Sequence, residues 1–122
     1  MNKLPNISLD AEERRNAKRY PVRAYAALQM SHISWKAHLL DISATGARFA
    51  VLDEHLLRPG DELFLTIELD DLDNEKFKSH LQLRGIVVHI REHIIGLSLI
   101  SNNHLESERL QELLNYFEEM EK

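Results

Sequence analysis

Residues 21–51, PVRAYAALQMSHISWKAHLLDISATGARFAV, decide the fold, because apolar and polar side chains alternate along most of this stretch. A period of two is typical of a β-strand with one buried face. Three sets of residues share that face: Val22, Ala24, Ala26, Leu28 and Met30, then Trp35, Ala37 and Leu39, then Ala47, Phe49 and Val51. The stretch therefore predicts three consecutive strands, the third starting near Gly46.

The alternation continues after the turn at 58–61, Arg-Pro-Gly-Asp. We predict a fourth strand at 62–69, a fifth at about 78–91 and a sixth at 94–100. In the fifth, the inward positions change parity: Leu81 and Leu83 come first, then Ile86, Val88 and Ile90. One extra residue at a glycine is typical of a β-bulge, which bends a long strand. We therefore expect a bulge at Gly85.

The C-terminal segment changes to a helical period. Asn103 followed by Glu106 is typical of a helix N-terminus. Apolar residues then recur at helical spacing: Leu110, Leu113, Leu114 and Phe117. We expect an amphipathic helix at about 103–121 whose apolar stripe packs on the strands and not on a second copy. The predicted fold is mainly β, a six-stranded antiparallel β-barrel with a C-terminal amphipathic α-helix.

Length, charge and cysteine content restrict the function classes. The chain has 122 residues, a formal net charge of -5 and no cysteine, which excludes disulfides and thiolate metal sites and suits a reducing cytoplasm. Residues 1–13 lack apolar periodicity, so we expect a flexible lead-in to a single domain at 14–122. The negative charge disfavours a nucleic acid polymer as partner. No apolar run reaches the ~20 residues of a membrane span, so we expect no membrane insertion.

Two segments stand out from this acidic background. Residues 14–23, RRNAKRYPVR, hold five of the chain's 15 lysine and arginine residues and no acid. Such a segment is either a solvated arm or a site for an anion. The second segment, 41–46 or DISATG, lies between the second and third predicted strands. By itself it is typical of an ordinary turn.

Together the two segments resemble the PilZ domain family. Arg15 and Arg19 match its RxxxR motif, and Asp41, Ser43 and Gly46 match the [D/N]xSxxG motif that follows. The similarity runs from residue 14 to about 117, and the family's six-stranded barrel with a C-terminal helix agrees with the fold predicted above. The resemblance implies a receptor for the bacterial second messenger cyclic di-GMP, with this nucleotide as a ligand, no cofactor and no enzymatic activity.

The matching residues also suit cyclic di-GMP chemically. The guanidinium fork of Arg15 or Arg19 can bind a phosphodiester or the O6 and N7 edge of guanine. Asp41 can accept hydrogen bonds from the N1 and N2 donors at the other edge of guanine. Ser43 can hydrogen-bond to base or phosphate. Gly46 can adopt a positive φ or let a ligand approach the backbone closely.

The resemblance implies roles for two further positions. Family members with an arginine directly before RxxxR tend to take up two intercalated messenger molecules, and Arg14 therefore favours that stoichiometry. His89 lies beyond the predicted bulge, where the family often has an aromatic residue such as tryptophan. An imidazole can stack on a purine, although with less area.

Other function classes remain open at this point. One is a PilZ-like adaptor that binds a protein and has little affinity for nucleotide, although the intact motif residues favour the receptor. Another is a small barrel that binds single-stranded RNA, which the net charge disfavours. His89 and His93 flank a turn and mark no coordination site, and no nucleophile arrangement supports an enzyme. The sequence does not identify a downstream protein partner.

Overall fold

Alternating burial along the chain produces the strands that the sequence predicts. The computed structural model describes residues 18–69, 80–100 and 104–121. These residues form β1 (Tyr20–Met30), β2 (Ile33–Ile42), β3 (Gly46–Ala50), β4 (Glu62–Glu68), β5 (His80–Arg91), β6 (Ile94–Ile100) and α1 (His104–Met120). In β1, for example, the inward residues from Tyr20 to Leu28 are buried while Pro21 and Arg23 are exposed.

The six strands close into a barrel in the order β1-β2-β3-β6-β5-β4, and all neighbours are antiparallel. Closure pairs each strand on both sides, which removes the exposed edges of an open sheet. The interior is filled by side chains that are almost completely buried, among them Leu28, Leu39, Phe49, Leu63, Leu65, Ile67 and Ile95. The predicted fold class is thus confirmed.

The bulge in β5 lies later than the sequence predicts. Gly85 keeps regular pairing with Leu63 of β4, and the register shift occurs between Val87 and His89. Val87 is buried, whereas Val88 is 51% exposed. The prediction that parity changes at Gly85, with Val88 facing inward, is therefore wrong. Gly85 is small for another reason, because a Cβ there would lie 3.2 Å from the Ser98 carbonyl oxygen.

The helix completes the core from outside the barrel. Its four predicted apolar residues, Leu110, Leu113, Leu114 and Phe117, are all buried and belong to the same core cluster as the barrel side chains. The expected packing of the stripe on the strands is confirmed. Asn103 of the predicted N-terminal cap lies outside the described residues. In the described parts of the chain, α1 included, no helix is both long and apolar enough to cross a membrane.

Candidate functional site

A bulge at the end of β2 turns Asp41 toward the outer surface of the barrel. Leu39 pairs with Phe49 and Asp41 pairs with Arg48, so Leu40 is the extra residue on β2. The inward alternation of Trp35, Ala37 and Leu39 would otherwise carry Asp41 into the apolar interior. The bulge instead places the carboxylate on the same face as Arg48.

Two arginines cover the Asp41 carboxylate, one at each oxygen. Arg19 Nη1 donates to Asp41 Oδ1 at 2.9 Å, and Arg48 Nε donates to Asp41 Oδ2 at 2.7 Å. Arg48 Nη2 donates to the same Oδ2, and this hydrogen bonding raises the pKa of Arg48 above its ordinary value. The Asp41 side chain is only 8% exposed, whereas the Arg19 and Arg48 side chains are 51% and 45% exposed. An incoming anion would meet the two guanidinium groups before the carboxylate.

Ser43 organises the turn between β2 and β3. Its hydroxyl oxygen accepts hydrogen bonds from the backbone N–H groups of Thr45 and Gly46 at 3.2 and 3.1 Å, and the hydroxyl donates to the Gly46 carbonyl oxygen at 3.3 Å. The Ser43 N–H also donates to that carbonyl oxygen, at 2.8 Å. Since Ser43 is buried and its hydroxyl is used within the turn, its contribution in this conformation is to fix the backbone of the site.

Gly46 permits a close approach and not an unusual backbone conformation. Among the described glycines, a positive φ occurs at Gly60, so the left-handed alternative is wrong for Gly46. A Cβ on Gly46 would lie 3.0 Å from the Leu97 carbonyl oxygen and 3.7 Å from Arg19 Nη2. The missing side chain therefore lets β6 lie close to the turn, whereas the Arg19 guanidinium is at ordinary contact distance.

His89 lies on the outer face in the same lateral row as Asp41. Asp41 pairs with Arg48, Arg48 pairs with Gly96, and Gly96 pairs with His89. The imidazole folds over Gly96, where any Cβ would overlap it. His89 is thus three strands from Asp41, within reach only of a ligand that extends across Arg48 and Gly96.

Lys18, just before β1, and Tyr20, the first residue of β1, are attached to the far end of α1. Lys18 Nζ lies 2.6 Å from Glu121 Oε1 and 3.5 Å from Glu118 Oε2. The Tyr20 hydroxyl donates to Glu118, and the Tyr20 ring lies 5.9 Å from the Phe117 ring. The hydrogen bond to Glu121 raises the pKa of Lys18. α1 has no basic residue in its last turn, so Lys18 supplies the positive charge that a helix C-terminus favours.

The structure therefore brings together Arg19, Asp41, Ser43 and Gly46 of the predicted site. Arg14 and Arg15 lie outside the described residues. Arg48 was missed by the sequence reasoning, although the turn contained the signal. Ser43 and Gly46 are the first and last residues of the turn. Counting back from them along the two strands places Asp41 opposite Arg48. Among the described residues, no three His, Cys, Asp or Glu side chains are placed to hold a metal ion.

Several solved structures share this fold. The PilZ domain of CeSA from a cellulose-synthesizing bacterium superposes with a TM-score of 0.69 at 14% identity, covering 84% of this chain and 99% of that chain. The PilZ domain of Escherichia coli YcgR with c-di-GMP gives 0.67 at 11% identity, covering 88% and 93%. The Bacillus subtilis inhibitor of motility MotI/DgrA gives 0.62 at 18% identity, covering 84% of this chain and 52% of that one.

Family membership follows from the sequence itself. The present chain spans about half the length of the Bacillus subtilis protein. At sequence identities of 11–18%, the structural matches demonstrate the shared fold alone. No curated protein matches the chain. The family model for the PilZ domain matches residues 13–116, which include both arginines of RxxxR, the whole of the 41–46 turn and the barrel. The chain belongs to the PilZ domain family.

Proposed function

We propose that this PilZ domain is a receptor for cyclic di-GMP. The observation that carries the proposal is the ion pair between Arg19 and Asp41, 2.9 Å apart and 22 residues apart in sequence. It joins the basic segment to the DISATG turn on one outer surface of the barrel. A pre-assembled cluster of guanidinium groups around one carboxylate suits a ligand with both anionic groups and guanine edges.

Each half of the site would bind a different part of the nucleotide. Arg15 and Arg19 would bind a phosphodiester or the O6 and N7 edge of guanine through charge-assisted hydrogen bonds, worth about 1.5–3 kcal/mol each. Asp41 would accept from guanine N1 and N2 once Arg19 moves to the ligand. Ser43 would keep the turn in shape, and Gly46 would leave space for the ligand.

Arg14 and His89 extend this proposal. Arg14 precedes the RxxxR motif, and we infer from it two intercalated cyclic di-GMP molecules in the filled site. In this proposal the stack would extend from Asp41 across Arg48 toward His89, which lies in the same lateral row. The exposed imidazole of His89 would then lie against the outermost guanine.

The signal would be the ordering of the N-terminal arm, residues 1–20, against the barrel. In the structure, Lys18 and Tyr20 hold the end of this arm on Glu118 and Glu121 of α1. A dianionic ligand would compete with those carboxylates for Lys18. Because ordering costs about 1–2 kcal/mol per residue, the ligand must make several charge-assisted contacts to reposition the arm. The ordered arm would then present its acidic segment, residues 10–13, to a downstream cytoplasmic protein.

Titration calorimetry of the whole chain tests the proposed function. We expect cyclic di-GMP to bind and cyclic di-AMP, which lacks the N1 and N2 donor pattern, to bind far more weakly. Comparable affinity for both would contradict the role of Asp41. No heat and no binding with cyclic di-GMP would contradict the receptor and favour the adaptor.

Amide hydrogen exchange tests the arm separately. With saturating cyclic di-GMP we expect protection to change at residues 10–21, relative to the free protein. Unchanged exchange there, with binding confirmed by calorimetry, would mean that the signal does not pass through the arm.

A further inference from the structure

The two arginines on Asp41 are held in different ways. Arg19 precedes the first residue of β1 and donates to the carboxylate through one nitrogen. Arg48 lies inside β3, whose neighbours β2 and β6 pair with it on both sides, and it donates through two nitrogens to one oxygen. Arg48 is therefore the fixed partner, and Arg19 is the partner that can move.

Burial makes this difference important for binding. The Asp41 side chain is 8% exposed, and a buried carboxylate that loses its only counter-charge is strongly destabilised. If Arg19 were alone on Asp41, its transfer to a ligand would leave that charge unpaired. With Arg48 on Oδ2, only Oδ1 loses its donor, and the N1 and N2 groups of a guanine can replace it.

We propose that Arg48 is a positioning residue of the nucleotide site, which holds the Asp41 carboxylate in place while Arg19 leaves Asp41 Oδ1 and binds the ligand. This inference rests on the proposed function. It assigns to Arg48, which belongs to neither motif, a share in the selectivity for guanine. It requires no contact between Arg48 and the nucleotide.

A guanine analogue gives a readout that general loosening of the fold would not change. Cyclic di-inosine monophosphate lacks the 2-amino group, one of the two donors that would face Asp41. We expect the wild type to prefer cyclic di-GMP over this analogue by about tenfold, the loss of one hydrogen bond to a charged group. Arg48→Gln should lower the affinity for cyclic di-GMP by about tenfold and the affinity for the analogue much less, so that the preference for cyclic di-GMP disappears.

Two further variants control the experiment. Arg48→Lys keeps the charge and should retain most of the preference, which shows that the effect depends on the counter-ion. Arg84→Gln removes another arginine–carboxylate pair, Arg84 with Glu62 at 3.2 Å, which lies on β5 and β4, away from Asp41. It should bind both nucleotides as the wild type does. The thermal unfolding midpoint of each variant is measured alongside, to confirm folding.

The outcomes separate this inference from the proposed function. Arg48→Gln with wild-type affinities overturns the inference, as does an equal loss for both nucleotides, and the receptor function survives in either case. A wild type without preference between the two nucleotides also overturns it, because Asp41 then does not read the guanine edge. A wild type that binds no cyclic di-GMP overturns the proposed function, and the inference with it.

Discussion

Substitution of Gly46 by alanine tests how the turn and the arginine site depend on each other. The new Cβ would lie 3.0 Å from the Leu97 carbonyl oxygen, a few tenths of an ångström too close, and both atoms belong to the paired strands β3 and β6. Overpacking of this kind costs about 1–3 kcal/mol. Alanine returns about 0.4–1 kcal/mol by restricting the unfolded chain. We expect a net loss of about 0.5–2 kcal/mol in the free energy of unfolding.

Gly85→Ala is the matched control. Its Cβ would lie 3.2 Å from the Ser98 carbonyl oxygen and 3.3 Å from Leu97 Cβ, so it crowds the same strand β6 from β5. A domain of this size loses about 3–6 °C per kcal/mol, so both variants should unfold about 2–12 °C below the wild type. Thermal unfolding followed by circular dichroism measures this shift.

The two variants should differ in nucleotide binding. The Gly46→Ala methyl group would also lie beside Arg19 Nη2, 3.7 Å away in ordinary van der Waals contact, and would occupy the space next to Arg19 that we propose for the ligand. We expect cyclic di-GMP affinity to fall by about tenfold, the loss of one charge-assisted contact. Gly85→Ala should bind as the wild type does. A Gly46→Ala protein with wild-type stability would refute the crowding argument. Equal affinity losses in both variants would refute the link from Gly46 to Arg19.

Two other predictions use paired substitutions. Arg15→Ala and Arg19→Ala should each weaken cyclic di-GMP binding by about 1.5–3 kcal/mol in calorimetry, whereas Arg23→Ala, an exposed residue of β1, should bind normally. Equal affinity of all three variants for cyclic di-GMP would show that the arginine motif is not part of the site. Leu113→Ala should lower the free energy of unfolding by about 2–5 kcal/mol, because Leu113 is buried between α1 and the barrel. Leu105→Ala, at a position 63% exposed, should change it by less than about 0.5 kcal/mol. Similar denaturation midpoints for these two would mean that α1 does not complete the core.

The strands could be predicted because each carries its own alternation. Leu63, Leu65 and Ile67 of β4, for example, are all buried as their spacing predicts. α1 could be predicted for the same reason, from a helical period within one segment. These signals are local, and local signals require no knowledge of which strand pairs with which.

The bulges could not be located reliably by the same reasoning. The sequence predicts the bulge at Gly85 because glycine is common at such positions. The role of Gly85 is instead to let Ser98 and Leu97 of β6 come close. The actual shift at Val88 depends on how β5 pairs with β6. The bulge at Leu40, which turns Asp41 outward, has no glycine to mark it.

Only part of the site could be predicted, because some of its contacts depend on how the strands pair. RxxxR and DxSxxG identify Arg19, Asp41 and Gly46, because a family resemblance preserves those spacings. The contact of Arg48 with Asp41 depends on hairpin register. The contact of Lys18 with Glu121 joins residues 103 positions apart, and no pattern within either segment specifies it.

The most direct test of the central claim is where cyclic di-GMP binds, measured by chemical-shift mapping. Backbone amide signals of the isotopically labelled chain are followed by nuclear magnetic resonance while the nucleotide is added. We predict that the largest changes occur at Arg19, at residues 41–46 and at Arg48. The exposed pair of Tyr25 and His38, whose rings lie 4.9 Å apart on the outside of β1 and β2, should be unaffected. Changes confined to that pair, or none at saturating nucleotide, would contradict the account.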